Sequence, residues 1–263
     1  MKKLAIVTCG NDEYFSRDPH EPIKALTSFR NSFGDKFDFF CLSNFKEKTK
    51  NLIKRNGFIP ISIDYTNFFN KTHAGYGYGA YPPECFYMFL IPKLMHEYGY
   101  DYSLYADGDT YCNSSFKMPE ILNSVHFCAV RQHEKFNKCG AVNTGVVLFN
   151  NKKCAEDKLI EDVLGLYKKF TFASDQHLFN KLIHMKKYNF REIDFTYNVM
   201  FRDKKIMDKS TKGKTIQNLK ISDKIKIVHF MAGKPCKPLS EVANNYRIRN
   251  QFASLYNEIK YYE

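Results

Sequence analysis

Short apolar runs alternate with longer segments of helical periodicity over the first hundred residues of the chain. Three of the apolar runs are predicted as strands, at residues 4–8, 37–42 and 58–63. The segments between them are predicted as helices at residues 22–33, with a proline in the first turn, and 45–56, which Gly57 ends. This alternation predicts a parallel sheet with helices on its faces, and Pro60 indicates either an edge position for the third strand or an interruption of it.

The same alternation continues through the rest of the chain. A helix over residues 84–98 leads into a strand that begins at Tyr102. Later strands are predicted at 126–131, 142–149 and 225–230, and later helices at 152–168, 175–187 and 239–261. The chain is therefore expected to form a single Rossmann-like α/β domain, in which helices flank a mostly parallel central sheet and a helical segment follows at the C-terminus.

Two segments interrupt the pattern without marking a boundary between domains. Residues 71–83 are rich in glycine and tyrosine, and we interpret them either as a flexible connection or as a lid over a ligand. Residues 204–226 are polar and rich in lysine, which is typical of a surface loop or an insertion.

Composition and net charge limit the classes of partner that the chain could bind. A chain of 263 residues, 44% of them hydrophobic, can bury a sizeable core, and its net charge of +12 favours nucleotide phosphates, nucleic acid or an anionic membrane surface. No nucleic-acid-binding motif is present, so we expect no nucleic-acid partner. The eight cysteines form no Cys-x-x-Cys pair, which argues against a zinc ribbon, and several lie in apolar runs, which favours free thiols in a reducing compartment.

The sequence also bears on location. The N-terminal apolar run is too short for the core of a signal peptide, and no run approaches the ~20 apolar residues that a membrane span needs. We therefore expect a cytoplasmic protein. Peripheral membrane association stays open, because the C-terminal segment combines basic and aromatic residues that could dock at an anionic lipid surface; the alternative is a solvated basic helix with packed aromatics. The residues concerned are Tyr246, Arg247, Arg249, Tyr256, Tyr261 and Tyr262.

Two aspartates, Asp107 and Asp109, end the strand that begins at Tyr102. At the carboxyl edge of an open α/β sheet, such carboxylates can hold Mg²⁺ or Mn²⁺ against a diphosphate. Gly108 between them is expected to permit backbone conformations that a side chain would forbid. Roughly one Asp-x-Asp match arises by chance in a chain of this composition, and a solvated turn is the alternative interpretation.

Two further segments carry polar groups that could contact a base or a sugar. In the loop after the first strand, Asn11 could read a base edge and Tyr14 could stack on a base; the alternative is an Asn-Asp turn with a packed tyrosine. Asn143 and Gly145 open a strongly apolar strand, where the asparagine amide could hydrogen-bond a sugar hydroxyl or simply mark the start of the strand.

A third segment opens a predicted helix with Ser174, Asp175 and Gln176. Asp175 and Gln176 could present a carboxylate and an amide to a sugar. Alternatively, Ser174 or Asp175 simply caps the helix.

A fourth segment contains His229 at the end of an apolar strand, followed by a glycine, two prolines and the lysines Lys234 and Lys237. A histidine in this position is usually a satisfied core residue. Here the lysines could neutralise phosphate, and His229 could supply a nitrogen ligand to a metal site begun by the two aspartates.

The order and character of these five segments resemble glycosyltransferase family 8, which includes glycogenins and lipooligosaccharide galactosyltransferases. The resemblance spans Leu4 to about Pro238. It implies a GT-A domain over residues 1–238, followed by a C-terminal helix over 239–263 that packs on the domain or extends it. It also implies a metal-dependent transfer of a sugar from a UDP-sugar to a hydroxyl acceptor on a glycan, glycolipid or protein, with retention of anomeric configuration.

The resemblance implies a role for each matching residue. The uridine would be bound by Thr8, Gly10, Asn11 and Tyr14, and the donor sugar would lie beside Asn143 and Gly145. Asp175 and Gln176 would act at the reacting carbon, and Lys234 or Lys237 would meet the diphosphate. Mn²⁺ or Mg²⁺ would be held by Asp107, Asp109 and His229, with Asp107 also contacting the donor.

Two departures from the family keep other functions open. After His229, Ala232 stands at the position of the family's first glycine, and the tryptophan that commonly ends that segment is missing. The helix before the Asp-x-Asp strand often carries a cation that reaches the donor, and Met88 stands at about that place here. An inverting GT-A enzyme with a different donor and a catalytically inactive nucleotide-sugar-binding protein are therefore the alternatives. A haloacid-dehalogenase-type phosphatase fits poorly, because Tyr111 stands where that signature has threonine or valine and because several strands precede the aspartates.

Overall fold

The structure is a computed structural model that describes residues 3–17, 20–65, 67–69, 74–75, 79–80, 82–132, 141–172, 174–185, 187–202, 205–206, 225–230 and 247–262. The strands are β1 (Leu4–Cys9), β2 (Asp38–Ser43), β3 (Ile59–Ser62), β4 (Ala74–Gly75), β5 (Gly79–Ala80), β6 (Tyr102–Ala106), β7 (Thr110–Cys112), β8 (Phe127–Arg131), β9 (Val142–Asn150), β10 (Phe190–Glu192), β11 (Val199–Arg202), β12 (Lys205–Ile206) and β13 (Ile227–His229). The α-helices are α1 (Asp12–Ser16), α2 (Glu21–Phe33), α3 (Glu47–Arg55), α4 (Ile91–Glu97), α5 (Asn151–Glu156), α6 (Leu159–Lys169), α7 (Asp175–His184) and α8 (Arg247–Asn257).

A seven-stranded sheet in the order β10-β8-β9-β6-β1-β2-β3 forms the centre of the molecule. Its neighbours pair in parallel, except that β9 runs antiparallel to both β6 and β8. The predicted α/β class with a mostly parallel sheet is therefore confirmed, as is the edge position of β3. From β1 the chain builds β2 and β3 on one side and then returns to place β6 on the other side, so the strand order reverses between β1 and β6.

Apolar layers cover both faces of this sheet, because successive residues of a strand point to opposite sides. Ala5 and Val7 of β1 belong to a cluster that includes residues of α4, α6 and α7. Leu4 and Ile6 belong to a second cluster, which includes residues of α2 and α3. The strand is fully buried, as its unbroken apolar run predicts.

A second sheet, in the order β12-β11-β13-β7, lies beside the first. In it β13 pairs antiparallel with β7, which places His229 opposite Thr110. Helix α8 covers this sheet with Phe252, Ala253 and Tyr256, which pack with Val228 and Phe230 in one apolar cluster. The sequence predicts β13, but not the short strands β7, β11 and β12.

Two predicted helices differ from the observed ones. The segment 152–168 is two helices, because Lys158 between them adopts a left-handed conformation with φ of 57°. The segment 84–98 begins with a 3-10 helix, Pro83–Leu90, and becomes α-helical at Ile91. Pro92 explains the change, since it has no N–H to donate to the carbonyl four residues earlier and its ring crowds that carbonyl.

Other expectations fall partly outside the described residues. In the glycine- and tyrosine-rich segment 71–83, the structure describes the short antiparallel pair β4–β5 and residues 82–83. The other residues of the segment lie outside the described ranges, so the choice between a flexible connection and a lid stays a prediction. Most of 204–226 lies outside them as well, and so do residues 239–246 of the predicted C-terminal helix. Among the described cysteines all six are free thiols, as predicted. No helix of the described chain has the length and apolar character needed to cross a membrane.

Candidate functional site

The carboxyl ends of β1 and β6 lie side by side, because the two strands are parallel neighbours. This is the point at which the strand order reverses, where open α/β sheets bind their ligands. Gly10 and Asn11 follow β1 and lead into α1, which carries Tyr14, and the turn after β6 contains Asp107 and Asp109. The structure thus brings together two segments whose proximity the sequence predicts.

The turn Asp107–Thr110 is held by backbone hydrogen bonds from three directions. Thr110 closes it, because both its N–H and its hydroxyl donate to the carbonyl of Asp107, at 3.1 and 2.6 Å. The N–H of Asp107 donates to the carbonyl of Gly145 on β9, at 2.8 Å, and the N–H of Phe230 donates to the carbonyl of Asp109, at 3.0 Å. The two carboxylates are therefore carried by a turn that both sheets fix.

Gly108 is required for space rather than for an unusual backbone conformation, which corrects the expectation from the sequence. Among the described residues the glycines with positive φ are Gly34, Gly57 and Gly99. A Cβ on Gly108 would lie 2.8 Å from Cζ of Tyr14 and 3.0 Å from Cγ of Pro22. Position 108 is a glycine because the ring of Tyr14 occupies the space that a side chain there would need.

The Tyr14 ring packs between two glycines, since a Cβ on Gly10 would lie 2.6 Å from its Cδ1 atom. Burial raises the pKa of the Tyr14 phenol well above its ordinary value, and the negative charge of Asp109 raises it further. Asn11 caps α1, with its Oδ1 accepting a 2.7 Å hydrogen bond from the N–H of Tyr14. Both residues thus have structural roles here, and their contacts with a base stay predictions.

His229 lies against both carboxylates. Its Nε2 atom is 3.2 Å from Oδ1 of Asp109 and 3.6 Å from Oδ2 of Asp107, and the residue is 4% exposed. Gly145 leaves room for the imidazole, because a Cβ there would overlap the ring, with Nε2 at 2.8 Å. Nδ1 of the histidine is buried and has no hydrogen-bond partner among the described residues.

The electrostatics of this cluster favour a bound cation. Desolvation raises the pKa of the Asp107 carboxyl to about 7; His229 lowers it, and the negative charge of Asp109 raises it. Burial would lower the pKa of His229, but the two carboxylates outweigh that effect and raise it. A metal ion could replace the protons that relieve this repulsion.

The geometry also fits a divalent metal. One ligand atom each from Asp107, Asp109 and His229 lie within 4.8 Å of one another. In an octahedral site with bonds of about 2.1 Å, ligand atoms lie about 3 Å apart when adjacent and about 4 Å apart when opposite. Tyr105, two residues before Asp107 on β6, donates its hydroxyl hydrogen to Oδ1 of Asp107, and the other oxygen, Oδ2, is the one near His229.

A third group of predicted residues lies at the start of α7. Ser174 caps the helix, because its hydroxyl accepts from the N–H of His177 at 3.4 Å. The Asp175 carboxylate is therefore not needed as the cap. Burial raises its pKa, while a hydrogen bond from the hydroxyl of Thr144 and backbone N–H groups act in the opposite direction. Asp175 lies near the metal-ligand cluster, since its charge contributes to raising the pKa values of both Asp107 and His229.

Asn143 links this helix to the rest of the site. It is 2% exposed, and its Nδ2 donates to Oε1 of Gln176 at 3.1 Å. Its Oδ1 accepts from the N–H of Gly145 at 2.9 Å and from Nδ2 of Asn198 at 2.8 Å. The amide that the sequence offers to a sugar hydroxyl thus has protein partners that orient Gln176 and Gly145.

The remaining predicted residues are placed as follows. Thr8 is fully buried near the end of β1, and its hydroxyl has no partner among the described residues. Lys234 and Lys237 lie outside the described residues. Sequence reasoning missed three supporting residues: Tyr105 donates to Asp107, Asn198 donates to Asn143, and the hydroxyl of Tyr256 donates to the carbonyl of Gly108. Of these, only Tyr105 has a local signal, because residues two apart on a strand share a face.

Comparison with known proteins agrees with this architecture. Residues 32–241, more than three quarters of the chain, match the family model described as Glycosyl transferase family 8. No curated protein matches the chain. The galactosyltransferase LgtC, solved in complex with donor and acceptor sugar analogues, is 16% identical with a TM-score of 0.64 over 97% of each chain.

Two further glycosyltransferases share the fold. GlyE of Streptococcus pneumoniae TIGR4 is 16% identical with a TM-score of 0.62; the match covers 98% of this chain and 63% of GlyE. Mouse xyloside xylosyltransferase 1 is 14% identical with a TM-score of 0.57, over 90% of this chain and 100% of the other. These identities establish the GT-A fold alone, and the family match goes further: the chain belongs to glycosyl transferase family 8.

Proposed function

We propose that this protein transfers a sugar from a UDP-sugar to a hydroxyl group of a glycan, glycolipid or protein acceptor, with Mn²⁺ or Mg²⁺ as cofactor. The observation that carries the proposal is the convergence of Asp107, Asp109 and His229 at the strand-order reversal of a family 8 chain. The structural relatives are named as a galactosyltransferase and a xylosyltransferase, so they support the reaction class without choosing the sugar.

The residues around the diphosphate and the uridine of the donor would have distinct roles. Asp107, Asp109 and His229 would hold the metal ion, and the Tyr105 hydroxyl orients one of these carboxylates. A bound divalent ion supplies Lewis-acid stabilisation of the charge that develops on the departing diphosphate. Lys234 or Lys237 would add to this stabilisation by neutralising phosphate oxygens. Thr8, Gly10, Asn11 and Tyr14 would surround the uridine.

Around the sugar of the donor, Asp175 and Gln176 would flank the reacting carbon. A carboxylate there stabilises the positive charge of an oxocarbenium-like transition state, and the link to Asn143 holds the Gln176 amide in place. Asn143 and Gly145 would lie beside the donor sugar. We propose retention of anomeric configuration, in line with the family, and the configuration of the isolated product tests this.

Nucleotide-dependent thermal stabilisation is the first test of this function. UDP with Mn²⁺ is expected to raise the melting temperature, because a ligand that binds only the folded state stabilises it by about 2.7 kcal/mol at a hundred times its dissociation constant. GDP, CMP and TDP, each with and without Mn²⁺, are the controls. Stabilisation by UDP that does not require metal would contradict the metal site, and preference for another nucleotide would overturn the donor assignment.

Metal binding is expected to weaken as the pH falls. Asp107, whose pKa is raised to about 7, and His229, whose pKa is also raised, must both lose their protons before they can bind a cation. The apparent Mn²⁺ dissociation constant should therefore fall at least about tenfold between pH 6 and pH 8. Calorimetric titration in buffers of different ionisation enthalpy would measure both the affinity and the protons released. A constant affinity over this range would contradict the assignment of these ligands.

A catalytically inactive nucleotide-sugar-binding protein remains the second candidate. Met88 stands at about the place where members of the family often carry a cation that binds the donor. Its side chain is fully buried, in the apolar cluster that also contains residues of α4, α6 and α7. Turnover of a UDP-sugar, as opposed to binding alone, separates the two functions.

We propose a cytoplasmic location, with docking at an anionic membrane surface as a further possibility for the C-terminal segment. Two of the tyrosines considered for such docking are used internally. Tyr256 is fully buried, and the Tyr261 ring packs 5.0 Å from the ring of His20. Tyr262, by contrast, is 71% exposed and is free to meet a lipid surface with its ring.

A further inference from the structure

The three backbone carbonyls of the Asp107–Asp109 turn each accept a hydrogen bond, but from very different sources. The backbone N–H of Thr110 donates to the carbonyl of Asp107, and the backbone N–H of Phe230 donates to the carbonyl of Asp109. The carbonyl of Gly108 accepts from the hydroxyl of Tyr256, at 3.0 Å, across 148 residues of sequence. The peptide between the two proposed metal ligands is thus held by a side chain of the C-terminal helix α8.

The surroundings of Tyr256 hold its hydroxyl in a fixed position beside the carbonyl of Gly108. It is fully buried, and its ring packs against that of Phe230, the residue after His229, at 5.8 Å between centroids. Its hydroxyl also lies 3.0 Å from the carbonyl of Glu21, the first residue of α2. A phenol has one hydrogen, so the two carbonyls share it, and the start of α2 is tied to the turn through one oxygen atom.

The segment that carries Tyr256 is itself anchored at several points. The Phe252 ring packs against that of Tyr111 on β7, at 6.1 Å. Nζ of Lys24 lies 5.6 Å from the centroid of the Tyr256 ring. At the end of the segment, the amide of Asn56 exchanges two hydrogen bonds with the backbone of Tyr262, at 2.7 and 2.8 Å. These contacts fix residues 247–262 against α2, the end of α3 and the second sheet.

We propose that Tyr256 is a positioning residue for the metal site, and that the C-terminal segment 247–262 is thereby a working part of the donor site. The inference rests on the proposed metal-dependent function. Asp107 and Asp109 flank the Gly108 peptide, so a change in the orientation of that peptide moves both carboxylates relative to His229. The Tyr256 hydrogen bond opposes this movement.

The test compares Tyr256→Phe with Tyr188→Phe in the full-length protein. Tyr188 is a matched control, because it is 2% exposed and its hydroxyl also serves two acceptors, Oδ2 of Asp162 at 2.7 Å and the carbonyl of Asp157 at 3.3 Å. Neither acceptor belongs to the metal site. Mn²⁺ affinity is measured by titration without nucleotide, and thermal unfolding is measured on the same samples.

Tyr256→Phe is expected to weaken Mn²⁺ binding about fivefold, which is the effect of losing one neutral hydrogen bond, whereas Tyr188→Phe should bind Mn²⁺ as the wild type does. Hydrogen exchange adds a second readout: Tyr256→Phe should speed exchange in a peptide covering residues 107–112, and Tyr188→Phe should not. This readout applies at any temperature at which the variants are folded.

The outcomes separate this inference from the function on which it rests. Wild-type affinity and wild-type exchange in Tyr256→Phe would overturn the positioning role, as would equal weakening in both variants, since that would reflect general loosening. Failure of the wild-type protein to bind Mn²⁺ would instead overturn the metal site and, with it, this role.

Discussion

Replacing Asp107 by asparagine is expected to lower sugar transfer about a thousandfold, the effect of losing about 4 kcal/mol of transition-state stabilisation. The amide keeps the size of the carboxylate, and its oxygen can still accept the hydrogen bond from Tyr105. It removes one negative charge from the proposed ligand set of Asp107, Asp109 and His229. Initial rates of UDP-sugar consumption in the presence of Mn²⁺ measure the effect.

Asp35→Asn is the matched control for this variant. Asp35 lies exposed on the 3-10 turn Gly34–Lys36, and its replacement removes a carboxylate without touching the site. The control should transfer sugar at the wild-type rate. A normal rate in Asp107→Asn, with normal thermal unfolding, would mean that the carboxylate does not hold a catalytic metal.

Replacing Gly145 by alanine is expected to abolish Mn²⁺ binding and to lower transfer at least about a hundredfold, equivalent to about 2.7 kcal/mol. The added Cβ would overlap the imidazole of His229, which must then leave its place beside Asp109. Overpacking of this kind also lowers the free energy of unfolding, by about 1–3 kcal/mol. Mn²⁺ titration and thermal unfolding measure the two effects separately.

Gly165→Ala distinguishes this mechanism from a general effect of replacing glycine. Gly165 lies inside α6, and a Cβ there would meet nothing within 4 Å. Alanine should therefore leave Mn²⁺ binding unchanged and stabilise the protein by about 0.5–1 kcal/mol through its helix propensity. Undiminished Mn²⁺ affinity in Gly145→Ala would show that His229 is not a required ligand.

Several features of the fold and site follow from local sequence. The buried run of β1 and the left-handed Gly57 at the end of α3 are readable because each depends on residues that are neighbours in the chain. The same holds for Asp107 and Asp109 at the end of β6, and for Ser174 as one of the two caps considered for α7. The resemblance to family 8 extends this, since its segments occur in the family's order.

Other features arise only from contacts between distant parts of the chain. The sequence predicts the strand that contains β13 but not the three-residue strand β7, and the pairing of β7 with β13 is what places His229 beside the aspartates. The sequence explains Gly108 by backbone freedom, whereas the structure explains it by the ring of Tyr14, which lies on α1. Likewise, the hydrogen bonds of Asn143 with Gln176 and Asn198 and the support of Gly108 by Tyr256 have no local signature.

The sequence by itself determined the α/β class, the family and the polar residues that could form a site, because periodicity and motif order are properties of neighbouring residues. The tertiary structure decided which of those residues meet, and which others hold them in place. The physical reason is that packing and hydrogen bonds between segments depend on distances in space, which the local pattern of a chain does not encode.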